Sequence, residues 1–273
     1  MTIQFQQLHP GVQIIVVAAL LYVALCLLAL VMARPMMFPA PPASYDKTFP
    51  TVTLRTVDGL AVSGLFLDNP TAERTLLFSH GNGEDIGWAK EFLEELRDLG
   101  FSVFAYDYPG YGLSEGAPSE DGCYQAAEAA YRYLVDERGI DPSTLVLYGR
   151  SLGGGPSLEL AVRQPVAGII LESSFVSAFR VMTRIQIFPF DRFRNLDKIP
   201  TVNCPSLIIH GERDEVVPFW HGQRLHEAAA EPKTFLPLPN TSHNDVSLVG
   251  GAAYFEAIRS FADSLAPEKE ESP

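Results

Sequence analysis

Residues 144–164, TLVLYGRSLGGGPSLELAVRQ, are the part of the sequence that indicates the fold most clearly. An apolar run typical of a buried strand leads into a G-x-S-x-G motif at Gly149–Gly153, and a helix-like run follows. A serine in such a strand-to-helix turn has a strained backbone, and small residues on both sides prevent clashes. The free N–H groups of the helix then point at whatever the serine attacks. Ser151 is therefore the predicted nucleophile. The alternative is a glycine-rich turn whose serine only caps the helix.

The chain around this motif alternates between strand-like and helix-like runs. It begins with a predicted β-hairpin, in which residues 51–57 and 60–67 pair across a turn at Asp58-Gly59. Alternating strands and helices indicate an α/β protein with a mostly parallel central sheet and helices on both faces. The strands are predicted over 75–80, 101–107, 144–150, 167–173, 206–211 and 234–239, and the helices over 88–99, 121–138, 152–164, 219–230 and 245–264.

A serine nucleophile needs a base to take its proton and an acid to orient that base. His243 follows the last predicted strand, and Asp214 follows the strand before it. Both residues come just past carboxyl ends of strands, the edge where an open α/β sheet binds ligands. We therefore predict His243 as the base and Asp214 as the acid. Rival acids are Glu172, at the end of another strand, and Asp245, which is very close to the histidine in the chain.

An oxyanion hole is the fourth part that this chemistry requires. One donor is predicted to be the backbone N–H of Leu152, directly after the nucleophile. The second is assigned to the backbone N–H of Asn82, in the loop Gly81–Asp85 after an early central strand. His80, at the start of this loop, is interpreted as a residue that braces the loop and not as a second base.

Composition argues against several classes of site. The chain has 20 Lys and Arg against 33 Asp and Glu, a net charge of −13, so a nucleic-acid partner is not expected. The closest histidine pair, His221 and His226, is five positions apart, off the spacing of a helical metal pair. Neither a metal nor another cofactor is therefore expected. The cysteines lack the spacing of a disulfide framework or a zinc site: Cys26, Cys123 and Cys204.

The N-terminal part differs from the rest. From Gly11 through Ala33 no residue is charged, and the 20 apolar residues Ile14–Ala33 would span about 30 Å as a helix. We predict a single-pass membrane anchor at 12–33, with the side of the membrane left open. The alternative is a cleaved signal peptide, but Met1–Pro10 has no Lys or Arg.

The remaining boundaries follow from composition. Residues 34–50 are predicted to be a proline-rich spacer in which no helix continues, because of Pro35 and the prolines after it. The catalytic domain is predicted over 51–265, and 266–273 as a disordered tail. The chain after Pro42 has 19 basic and 33 acidic residues, a net charge of −14, so the acidity belongs to this domain.

An insertion at about 174–205 is predicted to form a small cap over the catalytic edge. Its basic residues are Arg180, Arg184, Arg192, Arg194 and Lys198, interleaved with Phe175, Phe179, Phe188, Phe190 and Phe193. One interpretation is a surface that contacts anionic lipid or admits acyl chains. The other is an ordinary cap with its phenylalanines packed on the sheet and its arginines in solvent.

Six motifs carry a resemblance to a known family, from the anchor to about Phe261. They are ARPMMFPAPP, FSHGNGEDIG, YDYPGYGLSEG, GRSLGGG, IIHGERDEVVPF and TSHND. In combination they resemble the membrane-anchored α/β-hydrolases of the Bem46 type. These are relatives of the α/β-hydrolase-domain proteins 12, 13 and 17 and of the serine aminopeptidase S33 group. The resemblance implies the α/β-hydrolase fold with Ser151, Asp214 and His243 as a catalytic triad.

The predicted triad indicates a serine hydrolase that acts through an acyl-enzyme. The resemblance implies that its substrates are acyl esters or thioesters of lipids or acylated proteins. Two alternatives stay open. An aminopeptidase or amidase would need an anionic subsite, for which position suggests Glu84, Asp85 or Glu172. A membrane-tethered scaffold would keep the fold without the chemistry, although an intact serine, histidine and aspartate set argues against it.

Overall fold

The computed structural model describes residues 9–265, and contacts divide the chain into two units, Met1–Pro39 and Ala40–Pro273. Most of the described part of the first unit is a helix of 28 residues, α1 (Pro10–Met37). Helix α1 is long and apolar enough to cross a membrane. A signal sequence near the N-terminus would meet the same criteria of length and composition. The predicted anchor lies within α1. The domain boundaries given above remain predictions, and the predicted tail lies outside the described residues.

The helix continues past Pro35, where we expected it to have ended. Proline removes one hydrogen bond of the helix and clashes with the preceding turn. Only the last residues of α1 follow Pro35, and the Phe38 N–H still donates to the Arg34 carbonyl at 3.0 Å.

The second unit is built on one eight-stranded sheet in the order β1-β2-β4-β3-β5-β6-β7-β8. Strand β2 runs antiparallel to β1 and β4, and every other pairing is parallel. This confirms the predicted hairpin and the mostly parallel sheet. The strands are β1 (Val52–Arg55), β2 (Ala61–Leu67), β3 (Thr75–Ser79), β4 (Ser102–Tyr106), β5 (Leu145–Arg150), β6 (Gly168–Glu172), β7 (Ser206–Gly211) and β8 (Lys233–Leu238).

Helices connect the strands and cover them. They are α2 (Ile86–Asp98), α3 (Glu120–Arg132), α4 (Gly154–Arg163), α5 (Ala178–Thr183), α6 (Asn195–Lys198), α7 (Trp220–Ala228) and α8 (Val246–Ser264). Two are irregular: α3 continues into a π-helical turn, Tyr133–Glu137, and α8 is kinked at Gly251.

The main core lies between the sheet and helices α2 and α8. Leu76 and Phe78 of β3 belong to it, together with Phe92 of α2 and Tyr254 of α8. Leu77, between the two β3 residues, is also buried but lies outside this cluster, because side chains alternate between the faces of a strand. Every residue of β3, β4 and β6 is buried, which explains why most of their side chains are apolar.

The predicted cap contains two short helices, α5 and α6, joined by irregular chain. Phe175 and Phe193 are buried. Three other rings pack on one another with centroids 5.4–5.6 Å apart, those of Phe179, Phe188 and Phe190. These three residues therefore form a small aromatic cluster within the cap.

Candidate active site

The turn between β5 and α4 holds Ser151 in an unusual backbone conformation. Its φ is +52°, a left-handed value that costs an L-residue energy. The two glycines of the motif are required by close backbone contacts. A Cβ on Gly153 would lie 1.9 Å from the Ser79 carbonyl oxygen, and one on Gly149 would lie 2.6 Å from the Gly153 carbonyl oxygen. The strand, turn and helix around Ser151 are those that the sequence predicted.

Three predicted site residues from three different loops meet at this turn. His243 Nε2 lies 3.1 Å from Ser151 Oγ, and His243 Nδ1 lies 2.7 Å from Asp214 Oδ2. The histidine side chain is 10% exposed, and that of the aspartate is fully buried. A hydroxyl, an imidazole and a carboxylate in this order can pass a proton from oxygen to nitrogen and stabilise the resulting imidazolium.

Asp214 is held by the loop that carries it. Its Oδ1 accepts the backbone N–H groups of Val216 at 3.0 Å and Val217 at 2.7 Å. His210, at the end of β7, places Nε2 3.4 Å from Asp214 Oδ2 and 2.8 Å from the Val217 carbonyl oxygen. Burial alone would raise the pKa of Asp214, but hydrogen bonds from His210 and His243 hold this pKa well below its usual range. The carboxylate is therefore ionised at neutral pH.

His210 is a site residue that we did not predict from the sequence. One feature of the sequence could have indicated it: His210 precedes Asp214 by four residues and is the last residue but one of a buried strand. The side chain is completely buried and bonds the same loop as the aspartate.

The rival acids have other partners. Glu172 is 3% exposed, and it accepts hydrogen bonds from the hydroxyls of Tyr148 and Tyr254. Asp245 accepts the Ser242 N–H at 2.7 Å. Of the three candidates, Asp214 is the one that the structure brings to His243.

The loop 81–85, which we call the oxyanion loop, lies against the nucleophile. A Cβ on Gly81 would be 3.6 Å from Ser151 Cβ. Gly81 donates its own N–H to Glu84 Oε1 at 2.6 Å, and the Tyr111 hydroxyl donates to Asn82 Oδ1 at 2.8 Å. These bonds hold the loop beside the turn that contains Leu152. The two amides assigned to the oxyanion hole, those of Asn82 and Leu152, remain predictions.

His80 contacts the oxyanion loop from inside the protein. Its ring is fully buried, with Nδ1 2.7 Å from the Gly81 carbonyl oxygen and Nε2 3.6 Å from Asp107 Oδ1. Burial lowers the pKa of His80, so the ring is neutral at neutral pH. The contacts fit the predicted bracing of the loop.

Arg150, the second residue of the motif, forms an ion pair with Glu84 of the oxyanion loop. Its guanidinium lies over the rings of Phe78 and Phe92, 5.2 and 5.0 Å from their centroids. Burial would raise the pKa of Glu84, but the Arg150 charge holds it below its usual value. The pair thus ties the oxyanion loop to the nucleophile turn.

Residues 9–265 contain histidine, cysteine, aspartate and glutamate side chains, the residue types that bind metal ions. No cluster of three or more His, Cys, Asp or Glu side chains that could hold an ion occurs in this part of the chain. Its cysteines, Cys26, Cys123 and Cys204, are free thiols.

Comparison with known proteins gives matches of three kinds. A family model described as "Serine aminopeptidase, S33" matches residues 70–193. The α/β hydrolase domain-containing protein aho-3 of Caenorhabditis elegans is 42% identical over 202 residues, which cover 71% of this chain and 59% of the relative. The human α/β hydrolase domain-containing protein 17B is 40% identical over 211 residues, which cover 76% of this chain and 73% of the relative.

Solved structures share the fold at low sequence identity. The esterase Pf2001 of Pyrococcus furiosus superposes with a TM-score of 0.71 at 16% identity, over 84% of this chain and 99% of that chain. An α/β serine hydrolase homologue from Coxiella burnetii superposes with a TM-score of 0.61 at 20% identity, over 82% of this chain and 100% of that chain. At these identities the likeness establishes the α/β-hydrolase fold.

Proposed function

The chain belongs to the family of α/β hydrolase domain-containing proteins that includes human protein 17B, and we propose that it is a serine hydrolase of acyl esters or thioesters. The proposed triad is Ser151, His243 and Asp214. The observation that carries the proposal is the pair of distances at His243, 3.1 Å to the serine oxygen and 2.7 Å to the aspartate oxygen.

The proposed reaction proceeds through an acyl-enzyme. His243 Nε2 takes the proton of Ser151 Oγ, and the oxygen attacks the carbonyl carbon of the substrate. The displaced electron pair moves onto the carbonyl oxygen, which the N–H groups of Asn82 and Leu152 stabilise. When the intermediate collapses, the alkoxide or thiolate leaves with the proton from His243. Water, deprotonated by His243, then attacks the acyl group, and the acid leaves from a restored Ser151.

Asp214 and the strained serine support this sequence of steps. The ionised carboxylate keeps the proton of neutral His243 on Nδ1, so that Nε2 is free to accept one. It also stabilises the imidazolium that forms. The left-handed φ of Ser151 presents the hydroxyl at the end of β5, at the start of a turn whose N–H groups face the reaction.

The aminopeptidase alternative requires a free carboxylate for a substrate ammonium group. Each candidate already has partners within the protein. Glu84 pairs with Arg150, and Glu172 bonds two tyrosines. Asp85 is 2% exposed and accepts the N–H groups of Ser44 and Trp88. These contacts favour an acyl ester or thioester over an aminoacyl substrate. The short distances within the triad disfavour the other alternative, a non-catalytic scaffold protein.

Lipid membrane is the proposed partner, through the anchor in α1 and through the cap. Support for the cap comes from its segment 182–187, which includes the end of α5. Met182 and Ile185 of this segment are 72% and 66% exposed, and Arg184 is exposed between them. Exposed apolar side chains around a cation suit the interface of an anionic bilayer. No cofactor takes part in the proposed reaction.

The test is hydrolysis by the full chain in detergent, measured on p-nitrophenyl esters, acyl thioesters and aminoacyl amides. We expect Ser151→Ala to lower kcat on esters at least about 1,000-fold. The matched control is Ser143→Ala, at an exposed position before β5, which should leave kcat unchanged. Full activity of Ser151→Ala would refute the proposed nucleophile, and faster cleavage of aminoacyl amides than of esters would favour the aminopeptidase.

A further inference from the structure

Residues 40–45, which we call the strap, lie at the start of the second unit and reach the base of the oxyanion loop. The sequence predicts this segment to be part of the proline-rich spacer 34–50. Two of its side chains, Ser44 and Tyr45, bond carboxylates that are almost completely buried beneath the loop.

Ser44 holds the carboxylate at the end of the loop. Its N–H donates to Asp85 Oδ2 at 2.7 Å, and its hydroxyl donates to Asp85 Oδ1. The same carboxylate caps α2 by accepting the Trp88 N–H at 3.0 Å. Ser44 therefore helps to fix the point where the oxyanion loop becomes a helix.

The Tyr45 hydroxyl donates to a second carboxylate, that of Asp107. This residue directly follows β4 and is fully buried. The other oxygen of Asp107 accepts the Ile86 N–H at 2.9 Å and lies 3.6 Å from Nε2 of His80. His80 precedes the oxyanion loop and Ile86 follows it. Asp107 thus contacts both flanks of the loop, and Tyr45 donates to Asp107.

Two glycines make room for these contacts. A Cβ on Gly87 would lie 2.4 Å from Ser44 Oγ, and one on Gly112 would lie 2.6 Å from the Tyr45 hydroxyl oxygen. The Tyr45 oxygen also accepts the Leu113 N–H at 3.2 Å, and its ring packs against Phe49 with centroids 4.8 Å apart. Ser44 and Tyr45 of the strap therefore pack closely against the backbone of the second unit as well as against its side chains.

From these contacts we infer that Ser44 and Tyr45 are positioning residues, which hold the oxyanion loop so that the Asn82 amide points at the substrate oxygen. The inference rests on the proposed function, because it assumes that Asn82 is an oxyanion donor. The segment that leaves the anchor is then a part of the active site's support.

A displaced oxyanion loop should weaken binding of the transition state and leave binding of the substrate nearly unchanged. Donors of an oxyanion hole act where negative charge develops, so a shifted loop should lower kcat and leave KM nearly unchanged. Tyr45→Phe keeps the ring but leaves buried Asp107 without its tyrosine donor, and we expect a 10- to 100-fold loss of kcat, on the order of the loss of one donor. We expect a smaller loss for Ser44→Ala, because Ser44 is exposed and water can replace its hydroxyl.

The experiment uses the full chain in detergent, with kcat counted per active site titrated by a fluorophosphonate. A trifluoromethyl ketone, which forms a tetrahedral adduct with an active serine, serves as the mimic of the intermediate. We expect its inhibition constant to rise in parallel with the loss of kcat/KM in Tyr45→Phe and Ser44→Ala. Ser44→Thr keeps a hydroxyl at this position, so we expect it to show most of the kcat/KM that Ser44→Ala loses. The control is Thr48→Ala, since Thr48 is exposed and its hydroxyl bonds only the neighbouring Asp46 in the contacts of residues 9–265.

An unchanged inhibition constant in Tyr45→Phe, with its Tm near that of the parent, would overturn the inference. A loss of active sites without a change in the inhibition constant would also overturn it, since that result indicates a purely structural role. Ser151→Ala is measured beside these variants. If Ser151→Ala keeps its activity, the proposed function itself fails, and the two failures are thereby distinguished.

Discussion

At the scale of single residues, the site depends on how Asp214 is kept ionised in a buried position. Three groups donate to or face its oxygens besides His243: the N–H groups of Val216 and Val217 and the ring of His210. A buried carboxylate with this many donors keeps its charge. Sequence position predicted Asp214 and His243, because both follow strand ends. It did not reveal Tyr45, whose contact with Asp107 spans 62 residues and leaves no periodic signal.

We predict that Asp214→Asn lowers kcat by about 1,000- to 10,000-fold, because an amide stabilises the wrong tautomer of His243 and cannot stabilise its cation. Steady-state ester hydrolysis measures the effect. Asp245→Asn is the control, since Asp245 bonds the Ser242 N–H beside the histidine and is not its partner. Equal losses in the two variants would mean that the aspartates share the role.

At the scale of elements, the turn between β5 and α4 is where the local sequence determined the structure most fully. Gly149 and Gly153 have no room for a side chain, and the strand and helix on either side are strongly patterned. Predicted and observed strands agree closely for the same reason, since each buried strand is a short apolar run. The course of α1 past Pro35 differs, because a proline in the last turn disturbs few of the bonds of a 28-residue helix.

We predict that Gly153→Ala destabilises the protein by more than about 3 kcal/mol, because its Cβ would meet the backbone of β3 and neither segment can move freely. Thermal unfolding of the full chain in detergent measures the change. Gly59→Ala is the comparison: Gly59 has a φ of +88° but nothing within 4 Å of a Cβ, so we expect a cost of only about 1–2 kcal/mol. A Tm for Gly153→Ala equal to that of the parent chain would contradict the close packing of the turn.

At the scale of the whole molecule, the net charge of −13 is an average over unlike parts. Helix α1 has almost no charge, and all 33 acidic residues lie in the second unit, Ala40–Pro273. The basic residues of the cap are largely paired: Arg192 with Glu120, Arg194 with Asp197 and Lys198 with Glu159. Arg180 lies over the ring of Trp220, 5.3 Å from its centroid. Sequence could not reveal the partners of Arg192 and Lys198, because Glu120 and Glu159 come from the distant helices α3 and α4. The exposed apolar residues of the segment 182–187 are therefore the stronger support for contact with lipid.

We predict that Met182→Asp with Ile185→Asp lowers kcat/KM about 10-fold on a long-chain acyl thioester in phosphatidylserine-containing vesicles, because charged side chains oppose insertion into the interface. The full chain is reconstituted into the same vesicles. Hydrolysis of a short, soluble ester should be unchanged. Leu248→Asp is the control, since Leu248 is 83% exposed but lies outside the cap. Equal losses on both substrates would show that the segment 182–187 serves catalysis and not contact with the bilayer.

The central claim is that Ser151 is the nucleophile, and the most direct measurement is the location of a covalent adduct. The full chain is treated with a fluorophosphonate, digested, and analysed by peptide mass spectrometry. We expect one modified peptide, with the phosphonyl group on Ser151, and no labelling of Ser151→Ala. An adduct on another residue, or undiminished labelling of Ser151→Ala, would contradict the account.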